Sequence, residues 1–119
     1  MDNNSKKIKK VNIRRDVVDR VKADMIPRKK YLKSSELFRL LGDYNRIRII
    51  DALSREELYV NELVYLLEIG QSTVSHHLRQ LRSADLIKFR KKDKKIFYSI
   101  ENTELVELLR LNLILLDLK

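Results

Sequence analysis

Apolar residues recur every three or four positions over most of the chain, the period of a helix with one face turned to a core. Val17, Val18, Val21 and Met25 form the first such stripe, starting from about Val11. Pro27 should end that helix, because the residue before a proline avoids helical geometry. "RKKYLK" then reads as a basic link. Ser34 or Ser35 is expected to cap a second helix striped by Leu37, Leu40 and Leu41, with Glu36 in its first turn and Gly42 at its end. Asp43 is placed to cap a third, with Ile47, Ile50 and Leu53 facing inward. "SREELYV" breaks the pattern. A short fourth helix, "NELVYLLE", carries Leu63, Leu66 and Leu67. Beyond Gly70, Val74, Leu78 and Leu81 at i, i+4 and i+7 mark a fifth.

After Leu86 the period changes. "IKFRKKDKKIFYSI" places strand-forming residues on either side of a Lys92-Asp93 turn, which predicts a β-hairpin. A final helix follows over about 102–118. Between Leu105 and Leu118 only Glu107, Arg110, Asn112 and Asp117 are polar. A helix apolar nearly all round must be covered on both sides. One side is the chain's own core, and the simplest cover for the other is a second copy related by a two-fold axis. Val17, Val21, Leu105, Leu108, Leu109, Leu113 and Leu116 are the candidates for that dimer face. The expected class is therefore mainly α with a small β-hairpin wing: a winged helix-turn-helix, homodimeric through its first and last helices.

Composition narrows the picture. A length of 119 residues suits one domain with a modest core. The absence of cysteine excludes disulfides and thiolate metal sites. No apolar run reaches membrane-spanning length, and "MDNNSKKIKKVN" lacks the apolar stretch of a signal peptide, so a cytoplasmic protein with no membrane partner is expected. The net charge of +9 is unevenly spread: residues 1–33 carry +8, 34–70 carry −3, 71–98 carry +6 and 99–119 carry −2. Basic blocks of this kind are the footprint of a surface that binds a polyanion. Residues 1–10 read as a basic flexible arm and 11–119 as the folded domain.

The fifth helix follows a short helix and a tight turn, and a basic hairpin follows it in turn. The helix-turn-helix spans about 60–84 and the wing about 87–100. Placed at about 100° per residue, Ser72, His76 and Arg79 lie opposite the apolar stripe. Ser83 lies with them, Ser75 and Gln80 flank that outer face, and Gln71 and Thr73 are counted with it as candidate DNA contacts. Such a helix fits the major groove, and its short donors and acceptors suit base edges. Arg90, Lys91, Lys92, Lys94 and Lys95 on the hairpin suit the phosphates of flanking DNA. His76 and His77 are adjacent, and side chains at i and i+1 of a helix do not converge. His76 reads as a DNA contact and His77 as a packing residue; no metal site and no cofactor is assigned. No catalytic set with a supporting motif and no glycine-rich phosphate loop is present, so an enzyme is not expected. A winged helix used only for protein interaction is the alternative.

"LFRLLGDYNRIRIIDAL", "ELYVNELVYLL", "QSTVSHHLRQLRSADLI" and "FRKKDKKIFYSI" together resemble, in order and spacing, the ArsR/SmtB family of bacterial repressors, from about Ser35 to about Leu116. The resemblance implies a dimer that holds an operator in double-stranded DNA until an effector weakens its grip. It also implies that Ser72, Thr73, Ser75 and His76 approach that operator, with Arg79 and Gln80 continuing the surface. The family's sensing positions are altered. Tyr59 and Asn61 stand where one metal site has cysteines. Asn102, Glu104, Leu115 and Leu118 stand where another has Asp, His and Glu. A small organic effector, an unrecognised metal site and no effector at all stay open. Glu68 occupies a turn position usually held by glycine, and Asp93 replaces a glycine at the hairpin tip.

Overall fold

The computed structural model describes residues 12–117. Two compact units divide the chain, one up to Ser35 and one from Glu36. The basic arm expected over residues 1–10 lies outside the described residues, as do Val11 and Leu118.

In the first unit, α1 spans Arg15–Asp24 and buries none of its residues. It is shorter than its apolar stripe suggests and stops three residues before Pro27. The next helix, α2, spans Arg28–Leu41. Contrary to expectation, "RKKYLK" is not a link but the first part of α2. Lys, Arg, Leu and Tyr carry no penalty that stops a helix, and a proline is tolerated at a helix start. The Pro27 carbonyl accepts from the Lys30 and Tyr31 amides. Ser35 therefore caps nothing; its hydroxyl donates to the Leu32 carbonyl inside the helix.

The second unit holds the core. Helix α3 (Tyr44–Arg55) starts as expected, with the Asp43 carboxylate accepting from the Arg46 amide at 3.0 Å. Its inward residues are Ile49, Ile50, Ala52 and Leu53, while Ile47 is exposed. Helix α4 (Val60–Leu67) turns Leu63 and Leu67 inward and leaves Leu66 exposed. Helix α5 (Gln71–Ser83) buries Val74, Leu78 and Leu81, the stripe expected for it. Ile49, Leu63, Val74, Leu78 and Leu81 are almost wholly shielded from water, and each such side chain contributes about 1.5–3 kcal/mol of burial.

A three-stranded antiparallel sheet closes one side of the core in the order β1-β3-β2. Strands β2 (Ile87–Lys92) and β3 (Lys95–Ile100) are the expected hairpin. Strand β1 (Leu58–Tyr59) was not expected, because two residues carry no readable alternation. It pairs Leu58 with Tyr98 and Tyr59 with Phe97. The hairpin turn is Asp93-Lys94, one residue later than the sequence suggests, with Lys92 paired to Lys95. Both turn residues have positive φ, 52° and 65°, as a two-residue hairpin turn of the strand-matching hand requires. The buried end decides this register: Ile87 pairs with Ile100, and a one-residue slip would turn buried Ile87 to solvent.

Helix α6 (Thr103–Leu115) is capped by the Asn102 side chain, which accepts from the Glu104 amide at 3.0 Å. It is shorter than the expected 102–118. Leu105, expected at a dimer face, belongs instead to the chain's own core, and Leu109 packs against that core. Leu111, Leu113, Ile114, Leu115 and Leu116 are exposed, Leu115 by 82%. Beside them opens an apolar groove of about 390 Å³ lined by Phe38, Leu41, Ile47, Ile50, Leu108 and Leu115.

Candidate nucleic-acid interface

The geometry begins at the turn between α4 and α5. Glu68 ends α4 in the left-handed conformation, φ 56° and ψ 45°, with its amide donating to the Val64 carbonyl. Gly70 then returns to extended backbone, and its carbonyl accepts the first bond of α5 from Val74. Arg48 of α3 donates to the Leu67 carbonyl at 2.8 Å, satisfying a group that the helix end leaves open. Leu67 is buried and Ile69 packs against the core, so the turn is held from inside.

With Val74, Leu78 and Leu81 inward, Gln71, Ser72, Thr73, His76, Arg79 and Gln80 are exposed on α5 and Ser75 is half-buried. His76 and His77 diverge: His76 is exposed, while His77 is 8% exposed and lies among core residues. Their rings are tilted at 56° with centroids 5.7 Å apart. The His77 Nδ1 accepts from Arg46 Nε at 2.9 Å. Burial, more than any other influence, holds the His77 pKa below the ordinary histidine value, and the nearby Asp43 carboxylate works against that. Asp43 is in turn held below the usual carboxylate range, chiefly by the Arg46 amide. Among the described residues, no three His, Asp or Glu side chains gather as metal ligands.

The wing stands next to this face. Arg82, at the end of α5, lies over the Phe89 ring at 3.9 Å and ties the helix to β2. Lys91, Lys92, Lys94 and Lys95 are exposed. Arg90 is different. Its guanidinium forms a two-pronged bond to the Glu57 carboxylate at 2.6 and 2.7 Å, which lowers the Glu57 pKa and raises that of Arg90. Lys95 leans on the Tyr59 ring, 4.6 Å from its centroid. No ion pair among the described residues engages Arg79, Lys91, Lys92 or Lys94. The arrangement presents one uncommitted polar helix face and a cationic hairpin beside it.

Four side chains that organise this surface escaped the sequence reading: Arg46, Arg48, Arg82 and Glu57. Arg46 and Arg48 sit on a helix whose stripe announces only its apolar side. Their partners lie 19 or more residues away, and single-sequence spacing does not reveal such pairs.

The sequence profile of the bacterial regulatory protein arsR family matches residues 43–88, from the cap of α3 to the start of the wing. The cadmium resistance transcriptional regulatory protein CadC homolog of Staphylococcus aureus is 33% identical over 97 residues, which cover 81% of this chain and 79% of that protein. This chain belongs to the arsR family. The transcriptional repressor SmtB homolog of Synechocystis is 38% identical to this ArsR-family chain over 64% of its length, and the match spans 58% of that repressor. Among solved structures, HlyU of Vibrio cholerae aligns with a TM-score of 0.67 at 32% identity, covering 75% of this chain and 97% of that one. The family consists of DNA-binding transcriptional regulators with a winged helix-turn-helix, and this ArsR-family protein is one of them. Among the described residues, no helix is long and apolar enough to cross a membrane.

In this ArsR-family protein the altered sensing positions have other employment. Tyr59 sits in β1 against Phe97 in an edge-to-face pair, centroids 5.3 Å apart. Asn102 spends its side-chain oxygen capping α6. Glu107 is paired with Arg110, and Glu101 lies 3.9 Å from Lys88.

Proposed function

We propose that the chain represses transcription in the cytoplasm as a homodimer, each protomer laying α5 in the major groove of an operator. The observation that carries this reading is the uncommitted polar face of α5 beside the cationic wing. Gln71, Ser72, Thr73, Ser75, His76, Arg79 and Gln80 would face the bases and nearby phosphates, and Lys91, Lys92, Lys94 and Lys95 the flanking backbone. Arg90 is better read as an anchor of the wing through Glu57. In the second unit the dimer face would use Leu113 and Leu116, with Leu108 and Leu109 beside them; in the first unit, half-buried Val17 and exposed Val21 of α1 would meet the partner separately. Leu105 has almost no surface left to offer. Two such helices would enter grooves about 34 Å apart on a near-palindromic site.

The test is a titration of the labelled region upstream of the chain's own gene against salt. The expected affinity falls with salt at a slope of about −0.9 per neutralised phosphate. A flat response, or no binding, would sink the proposal and favour a winged helix that binds protein instead. Repeating the titration with divalent cations and with EDTA tests effector class. With no cysteine available and Asn102, Leu115 and Tyr59 at altered sensing positions, metal-indifferent binding is expected. The relative HlyU is named a transcriptional activator, so a reporter driven by the bound promoter decides direction, and a fall in expression is the expected result.

A further inference from the structure

One buried titratable group has no part in the DNA-facing surface, yet sits directly behind it. His77 lies on the inner side of α5 with its side chain 10% exposed. Both of its ring nitrogens face the start of α3. Arg46 Nε donates to Nδ1 at 2.9 Å, and Asp43 Oδ1 lies 3.8 Å from Nε2. Arg46 has further commitments. Its Nη1 donates to the Leu40 carbonyl at the end of α2, 3.2 Å away, and its backbone amide donates to the capping Asp43. One arginine thus joins the end of α2, the cap of α3 and the inner face of α5.

We propose that Arg46 is a positioning residue for DNA recognition, fixing the tilt of α5 through a hydrogen bond that only neutral His77 accepts. The inference rests on the operator-binding reading given above. Its chemistry is simple. A neutral imidazole has one acceptor and one donor nitrogen. With Nδ1 accepting from a guanidinium, which has no acceptor to offer, the proton is on Nε2, facing the Asp43 carboxylate. Protonation puts an N–H on Nδ1, so a donor meets a donor and a cation meets a cation. Asp43 Oδ1, 3.8 Å from Nε2, faces that nitrogen in either state and offsets only part of the repulsion. The charged and titratable groups facing the ring are Asp43 and Arg46 of α3 and His76 of α5; α2 contributes the Leu40 carbonyl, through Arg46. The bond is therefore lost on acidification, and α5 loses its polar tie to α3.

The decisive variant is His77→Asn, whose amide oxygen takes the place of Nδ1, accepts from Arg46 and does not titrate. Anisotropy of the labelled upstream duplex, followed from about pH 8 to about pH 5.5, compares it with the wild type across the histidine range. His76 is the same in both proteins, so it cancels in the comparison. At the alkaline end the two should bind within about threefold of each other, and across the range the wild type should lose about tenfold more affinity. Arg46→Met should bind weakly at the alkaline end and lose the extra pH dependence. Long-range proton–nitrogen NMR of the free wild-type protein should show His77 neutral with its proton on Nε2 at neutral pH. Parallel pH profiles with intact binding, or a proton on Nδ1, would overturn the positioning role alone. Absence of DNA binding by both proteins at every pH would overturn the operator reading and this role with it. Circular dichroism at each pH shows that the folded protein is being compared; equal unfolding of the wild type in step with its loss of binding would overturn the role by making the loss a stability effect.

Discussion

Glu68→Gly should make this protein more stable. Glu68 holds φ 56° and ψ 45° at the turn between α4 and α5. For a residue with a Cβ that conformation costs about 1–2 kcal/mol, because Cβ crowds the following carbonyl. The turn has little freedom to relax the strain, since Leu67 is buried on one side and its carbonyl is held by Arg48 at 2.8 Å. Glycine removes the penalty but loosens the unfolded chain by about 0.4–1 kcal/mol. The net gain is about 0.5–1 kcal/mol, which for a domain of this size raises the melting temperature by about 2–8 °C. Urea and thermal melts measure it. Glu68→Ala is the control: it removes the carboxylate and keeps Cβ, so it should change stability by less than about 0.5 kcal/mol, as other surface changes do. An alanine gain equal to the glycine gain would show that charge, not backbone geometry, is responsible. No gain from glycine would show that the left-handed turn is not strained, and the reasoning would fail.

Three further outcomes are expected. Leu81→Ala, at a position with no measurable exposure, should cost about 2–5 kcal/mol in a denaturant melt, while Leu66→Ala on the exposed side of α4 should cost under about 0.5 kcal/mol. Because the folded pKa of His77 lies below its ordinary value, the unfolded chain binds a proton first on acidification. Stability should therefore be full above about pH 6.5, fall below it, and level off once folded His77 protonates, with His77→Asn removing this part of the profile. In DNA titrations Lys94→Ala should make the salt slope shallower by about 0.9 for each protomer's contact, about 1.8 for the dimer, whereas Arg90→Ala should leave it nearly unchanged, because Glu57 already occupies that guanidinium; equal changes in slope would count against the anchoring role.

Much of the fold is written in local pattern. Val74, Leu78 and Leu81 repeat at helical spacing over about two turns, so the inner face of α5, and with it the outward set from Ser72 to Gln80, follows from chain geometry alone. The Asp43 cap and the change of period after Leu86 are equally local. The left-handed turn at Glu68 was legible only through resemblance, since nothing about a glutamate announces that conformation. Other features were settled by distant contacts. "RKKYLK" has no strong preference of its own, and it is α2 that extends back through it to Pro27. β1 exists because β3 offers it a partner, not because Leu58 and Tyr59 form a pattern. The hairpin turn moved by one residue to keep Ile87 and Tyr98 facing the core.

The sequence by itself therefore determined the order of helices, the outward polar face of α5 and the cationic wing, because each rests on the periodicity of neighbouring residues or on net charge. Tertiary structure decided which charges are still available. Arg90, Lys94 and Arg46 look alike in sequence; one is bound to Glu57, one is exposed at the wing tip and one is turned inward on His77. That sorting depends on partners 31 and 33 residues distant, which only the packing of α3 against α5 and of the wing against β1 brings within hydrogen-bonding range.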